Sequence, residues 1–215
     1  MQPSIPDLNG EPRGVTQAPI SRRERLLWGL CVALWLGALA VGAKALWNFQ
    51  TTPGAAATTQ GQWPAASRLP RDASRATLVM VAHPRCACTR ASLGELTVLM
   101  QRLRGRVSGH VLFVRPQGVP GGWEQTDTWR AARGIPGVAV WRDEGGAEAA
   151  RFAAKTSGQV LLYDRAGRLV FSGGITPIRG HLGESAGQER IVSLVTTGRA
   201  DAASSRVFGC ALGSL

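Results

Sequence analysis

A chain of 215 residues has room for one ordinary single-core domain plus appendages. Its formal net charge of +11 raises nucleic acid or anionic lipid as partners, because clustered cations release counterions from phosphates. The arginines of the C-terminal two thirds are dispersed instead (Arg85, Arg90, Arg102, Arg104, Arg106, Arg130, Arg133, Arg142, Arg151), and no stretch interleaves them with exposed aromatics as a single-strand binder would, so no nucleic-acid partner is expected and the charge reads as a solvated surface.

Residues 1–25 are rich in Pro, Gly and polar side chains without periodicity and read as a disordered tail. Leu26 to Ala43 carry no charge, and Ala45, Leu46 and Trp47 extend the apolar run, so residues 26–47 are expected to form one transmembrane helix. Arg13, Arg22, Arg23 and Arg25 precede this run, whereas Lys44 alone closely follows it. Trp28 and Trp47 stand at its two ends. The positive-inside rule then places the N-terminal tail in the cytoplasm and everything after Trp47 outside, in a single-pass arrangement. Ala38-Leu39-Ala40 and Ala43-Lys44-Ala45 offer the small-residue pattern of a cleaved secretory signal, but the run is long for a signal core and an uncleaved anchor is expected. Residues 48–72, rich in Ala, Thr, Gly, Gln and Pro, read as a flexible linker. The remaining domain, 73–215, then lies on the far side of the membrane, periplasmic for a cytoplasmic-membrane protein.

That domain opens with a continuous apolar strand, Ala76 to Ala82, which suits the centre of a sheet. After His83-Pro84-Arg85-Cys86-Ala87-Cys88, apolar residues at Leu93, Leu96, Met100 and Leu103 recur at helical spacing up to Gly105. Val111 to Val114 gives a second, parallel strand and completes a βαβ unit. His110 is placed at the start of that strand, on the surface. A helix is expected to open near Thr126-Asp127, a strand at Val138 to Trp141, and a short helix from Ala147 to Ala154. Gln159 to Tyr163 and Arg168 to Phe171, joined by Asp164-Arg165-Ala166-Gly167, form a β-hairpin signal. A Gly- and Pro-rich loop, a last helix near Glu189 to Val195, and the ending Val207-Phe208-Gly209-Cys210-Ala211-Leu212 complete the chain.

Of the four cysteines, Cys31 lies inside the apolar run and reads as a small buried residue. Cys86, Cys88 and Cys210 remain for chemistry. An odd number of exported thiols points to a pair plus a free thiol, a cycling trio or a metal site. Cys86 follows a strand end and precedes a helix, with Arg85 beside it and Arg90 one turn on. A helix N-terminus and nearby cations favour the thiolate, the reactive form. Cys86 is therefore the expected nucleophile. Cys88 is the resolving thiol whose proximity is assured, through a small ring of the strained and readily reduced kind, and Cys210 is the alternative if its segment folds back.

The order of strand, cysteine-bearing turn, helix, strand, hairpin (QVLLYDRAGRLVFSGG) and terminal helix resembles the thioredoxin superfamily, in particular its membrane-anchored extracytoplasmic branch. HPRCACTRASLGEL and VFGCAL are similar to RedB-type proteins within it. The resemblance implies an α/β thioredoxin-like fold, a central mixed sheet flanked by helices and preceded here by one transmembrane helix. It also implies thiol-disulfide oxidoreductase activity on a protein thiol or disulfide, with no cofactor. Against the family's Cys-x-x-Cys, Thr89 falls where the second cysteine would stand, as in the Cys-x-x-Thr of thiol peroxidases. Against the family's cis-proline before the hairpin, Ser157-Gly158 occupies the place, so these two, with His83 and Pro84, are the expected substrate-facing residues. The competing readings are a thiol peroxidase and a copper-binding protein. For the latter, Cys86 and Cys88 with His83 or His181 would supply a soft ligand set suited to Cu(I).

Overall fold

The computed structural model describes residues 21–57 and 61–213; the expected disordered tail up to residue 20 lies outside them. Helix α1 (Arg22–Thr51) contains the apolar run and extends it at both ends, so Arg22, Arg23 and Arg25, expected in the tail, are helical. A reciprocal capping box sets its start: Glu24 N donates to Ser21 Oγ at 3.2 Å, and Ser21 N donates to Glu24 Oε2 at 2.8 Å. None of its 30 residues is buried, and at about 45 Å it is long and apolar enough to cross a membrane.

Residues from Leu46 onward form a separate folded unit. Its sheet has the order β3-β2-β1-β4-β5. Strands β1 (Ala76–Ala82), β2 (Val107–Arg115) and β3 (Val138–Glu144) run parallel, while β4 (Gln159–Tyr163) is antiparallel to β1 and forms a hairpin with β5 (Leu169–Gly173). The expected βαβ unit and hairpin are both present. In the hairpin turn Gly167 takes φ +81, where a side chain would be strained. Asp164 secures the return, its carboxylate accepting from Arg168 N at 2.9 Å and Arg168 Nε at 2.8 Å.

Because β1 is central, alternate side chains go to opposite faces and both must be covered. Leu78, Met80 and Ala82 join a layer with α2 (Ala87–Arg102) and α5 (Ala186–Thr197), through Leu93, Leu96, Leu99 and Ile191. Trp129 and Ala132 of α3 (Asp127–Arg133) pack into the same layer. This helix starts as expected, with Thr126 accepting the Trp129 amide. On the opposite face Val79 and Val81 meet Leu112, Val114, Leu161 and Tyr163.

Among the described residues the only helix in that second layer is α4 (Ala147–Arg151), one turn and a half long. It cannot cover the face, and the described part of the supposed linker does so instead. Leu69 is buried, and Trp63 packs edge-on against Phe152 and Tyr163 at ring distances of 5.2 and 5.0 Å. Trp63 N donates to Gly167 O at 2.7 Å and Leu169 N to Gly61 O at 2.9 Å. Residues 61–72 are thus part of the domain, which corrects the expectation of a flexible linker over 48–72. The same face corrects His110. Strand β2 begins at Val107, earlier than its apolar run indicates, so His110 is a buried mid-strand residue. Trp141 Nε1 donates to His110 Nδ1 at 3.0 Å, which leaves Nε2 to carry the proton and donate to Pro70 O at 2.9 Å.

Candidate functional site

The C-terminal end of β1 delivers the chain into the turn His83-Pro84-Arg85, and Cys86 is the N-cap of α2. Cys86 N donates to His83 O at 3.2 Å. The rest of the turn is held by two hydroxyls. Thr89 Oγ1 donates to His83 O at 2.8 Å and lies 3.0 Å from Ser157 Oγ, and His83 N donates to Ser157 Oγ at 2.9 Å. Each hydroxyl has one proton, so Thr89 spends its own on the carbonyl and Ser157 donates to Thr89 Oγ1. Pro84 O accepts from Thr126 Oγ1 at 3.2 Å and Thr128 Oγ1 at 2.9 Å, which ties the turn to the start of α3.

Ser157 also reaches the far end of the chain: its N–H donates to Cys210 O at 2.8 Å, and Leu212 N donates to Lys155 O at 2.9 Å. The segment after α5 therefore folds back across the loop that precedes β4. Cys210 there is bonded to Cys86, with Cα atoms 6.2 Å apart and a sequence separation of 124. Cys88, the resolving thiol favoured by sequence proximity, is a buried free thiol. Its position on the first turn of α2 leaves it close by all the same, since the three sulfurs lie within 4.8 Å of one another.

Two glycines make this approach possible. A Cβ on Gly209 would run into Ser157 O. Gly158 takes φ +87, and a Cβ there would meet Ser92 Oγ at 2.8 Å. The expected substrate-facing residues are thus largely interior: Ser157 is 1% exposed, and Pro84 and Gly158 are buried. They act as the frame on which the turn and the returning segment meet. Thr89, 1% exposed, belongs to the same frame.

His83 is buried, with Nε2 free of hydrogen bonds among the described residues and its ring edge-on to Trp123 at 5.5 Å. Burial first, and the Arg85 charge second, hold its pKa below the usual histidine value, which favours a neutral ring at neutral pH. Arg85 itself stacks over Trp123 at 4.5 Å. His181 is exposed, its Nδ1 2.9 Å from Arg179 O in its own loop. Among the described residues the group able to hold a metal is Cys86, Cys88 and Cys210, so neither histidine of the expected copper set belongs to it.

One contributor carries no mark in the sequence. Arg179, in the loop after β5, donates to Gly209 O beside Cys210, to Thr52 O at 3.1 Å and to Phe49 O at 3.1 Å, with its guanidinium 4.8 Å over the Phe49 ring. Gly54 N donates to Val207 O at 2.8 Å, and Thr156 Oγ1 to Ala55 O at 2.9 Å. Residues 49–55 are thereby fastened to the Cys210 segment and the loop beneath it. All the acceptors of Arg179 are backbone carbonyls, which is why residue types alone do not reveal the tie.

No family model matches the chain, and no curated protein matches it. Solved structures do. A hypothetical protein from Sinorhizobium meliloti superposes with a TM-score of 0.56 at 19% identity, covering 76% of this chain and 96% of that one. An uncharacterized conserved protein from Geobacillus kaustophilus gives 0.55 at 18% identity, covering 75% and 91%. These likenesses concern the fold. With strand, cysteine-bearing turn, helix and parallel strand followed by an antiparallel hairpin and a closing helix, in the sheet order β3-β2-β1-β4-β5, the chain has a thioredoxin-like fold.

Proposed function

We propose that this protein is a membrane-anchored thiol-disulfide oxidoreductase working on protein thiols or disulfides outside the cytoplasm, with Cys86 and Cys210 as its redox pair. The observation that carries this reading is the Cys86–Cys210 disulfide at the N-cap of α2. It joins a helix terminus, where an anionic sulfur is favoured, to a cysteine on a returning segment. In the oxidising direction one substrate thiolate attacks the disulfide and forms a mixed disulfide, releasing one protein thiolate. A second substrate thiolate then attacks its own bonded sulfur, leaving a substrate disulfide and two protein thiols. Two electrons and two protons pass to the protein; reduction of a substrate disulfide is the reverse.

The anchored, extracytoplasmic setting is supported by the length and apolarity of α1 and the arginines before it. A disulfide also suits an oxidising compartment. The RedB-type likeness of the cysteine turn and of VFGCAL is the place we propose for the chain within the superfamily.

One observation favours a second reading. Three sulfurs within 4.8 Å would, once reduced, offer Cu(I) the thiolate ligands it prefers. Nothing comparable favours a peroxidase, since the Thr89 hydroxyl is committed to the His83 carbonyl. An insulin-reduction assay run beside a Cu(I) titration of the reduced full chain separates the two readings. The redox reading expects turnover in the wild type and its loss in both Cys86→Ser and Cys210→Ser. Tight stoichiometric Cu(I) binding without reductase activity would replace it with the metal reading.

A further inference from the structure

The two sulfurs of the disulfide are not equivalent. Cys86 is 4% exposed, enclosed by the turn and by the segment bonded to it, whereas Cys210 is the more open of the two. Thiol-disulfide exchange is an in-line displacement: the attacking thiolate approaches opposite the sulfur that leaves, so rates depend on which sulfur can be reached and on how well the other departs as thiolate. Both requirements point the same way here. Attack on Cys210 Sγ comes from solvent and expels Cys86, whose sulfur stands at a helix N-cap where negative charge is favoured. Attack on Cys86 Sγ would have to pass through the protein that buries it, and would expel a thiolate on a segment that ends no helix.

From this asymmetry we infer that Cys210, on the segment after α5, is the residue that forms the mixed disulfide with substrate, and that Cys86 is the internal resolving thiol. This rests on the thiol-disulfide reading above and inverts the roles expected from the position of Cys86 alone. In the oxidising direction the substrate thiolate bonds to Cys210 Sγ as the Cys86–Cys210 bond breaks, and Cys86 departs as thiolate. The second substrate thiolate then frees Cys210. In the reducing direction the Cys210 thiolate attacks the substrate disulfide and one substrate thiolate leaves. Cys86 then attacks Cys210 Sγ, closing the protein disulfide and releasing the second substrate thiolate.

The surroundings hold Cys210 to this task. Its carbonyl accepts from Ser157 N, and the carbonyl just before it accepts from Arg179, so the segment is fastened on both sides of the more open of the two bonded cysteines. Cys88 lies in reach of both partners but is 7% exposed, which makes it a site of internal exchange rather than of first contact.

The assignment is tested with the oxidised full chain in detergent, and with its Cys88→Ser variant to exclude internal scrambling. Each is mixed briefly with glutathione, quenched with iodoacetamide before the mixed disulfide collapses, and peptide-mapped by mass spectrometry. The expected early product carries glutathione on Cys210 and the alkyl group on Cys86, in about tenfold excess over the reverse pattern. Glutathione on Cys86, or an even split between the two, overturns the assignment while leaving the redox pair intact. A disulfide that glutathione does not open at all under conditions that reduce a small-molecule disulfide overturns the assignment together with the redox reading.

Discussion

Ser157 Oγ takes the amide proton of His83 and gives its own to Thr89, while Ser157 N holds Cys210 O. One residue therefore fixes both approaches to the disulfide, the turn through its hydroxyl and the returning segment through its main chain. Ser157→Ala leaves the buried His83 amide without a partner and is expected to cost about 1–3 kcal/mol, read as a lower denaturant midpoint for the full chain in detergent. An unchanged midpoint would show that the network does not carry this load. Gly158→Ala is expected to cost about as much or more, because it combines a positive φ with a contact against Ser92 Oγ. The sequence placed Ser157-Gly158 beside the cysteines but did not show that they face inward, since that depends on the Cys210 segment lying over them. Arg179 left no trace at all, its partners being carbonyls of residues 49, 52 and 209.

His110 shows how a boundary error becomes a residue error. The apolar run begins at Val111, but the strand begins at Val107 and passes through Gly109, where a Cβ would meet Val138 Cγ2 at 2.9 Å and Met100 Cε at 3.2 Å. A glycine that resembles a turn is there to let α2 and β3 close on the strand. His110 is thereby buried, and burial pushes its pKa down; His83 shifts the same way. As pH falls, the unfolded chain takes up these protons near pH ~6.5 while the folded chain still resists them. Stability is therefore expected to fall as pH drops below about 6.5, and to level off once the lower folded-state values are passed. His110→Gln should flatten part of that slope in denaturation curves across the range, and a slope identical to wild type would contradict the neutral, buried assignment.

At the scale of elements, the strand and helix order was legible because apolar periodicity and turn residues report it directly. The second covering layer was not. A segment such as Gly61 to Asp72 has no periodicity of its own, and it is ordered because a central sheet with one short helix on that side leaves Val79, Val81, Leu112 and Leu161 to be covered. Trp63 is the main contributor. Trp63→Ala is expected to remove about 2–4 kcal/mol of stability, toward the low end for a partly exposed aromatic, and to loosen the hairpin turn that Trp63 N holds at Gly167 O. Hydrogen exchange localised to residues 159–171 would show the loosening. Protection there equal to wild type would return residues 61–72 to the status of a tether.

For the whole molecule, the orientation proposed above rests on charge on the two sides of α1. A reporter active only outside the cytoplasm, fused after Leu215, is expected to be active, and joint replacement of Arg13, Arg22, Arg23 and Arg25 should weaken that orientation. An inactive fusion of a stably expressed chain would overturn it. The proposed export matters to the chemistry because the compartment decides whether the Cys86–Cys210 bond persists. The pairing itself could not be read from sequence, since Cys88 is the nearer thiol along the chain. It depends on the Cys210 segment returning over Ser157, which only the folded chain displays.

The central claim, that Cys86 and Cys210 are the working couple, is tested most directly by equilibrating the full chain in glutathione redox buffers and mapping the thiols by alkylation at each potential. The expected result is one reversible two-electron transition, present in the wild type and in Cys88→Ser, absent in Cys86→Ser and in Cys210→Ser. A transition that survives Cys210→Ser and disappears in Cys88→Ser would contradict it and identify Cys86 and Cys88 as the pair.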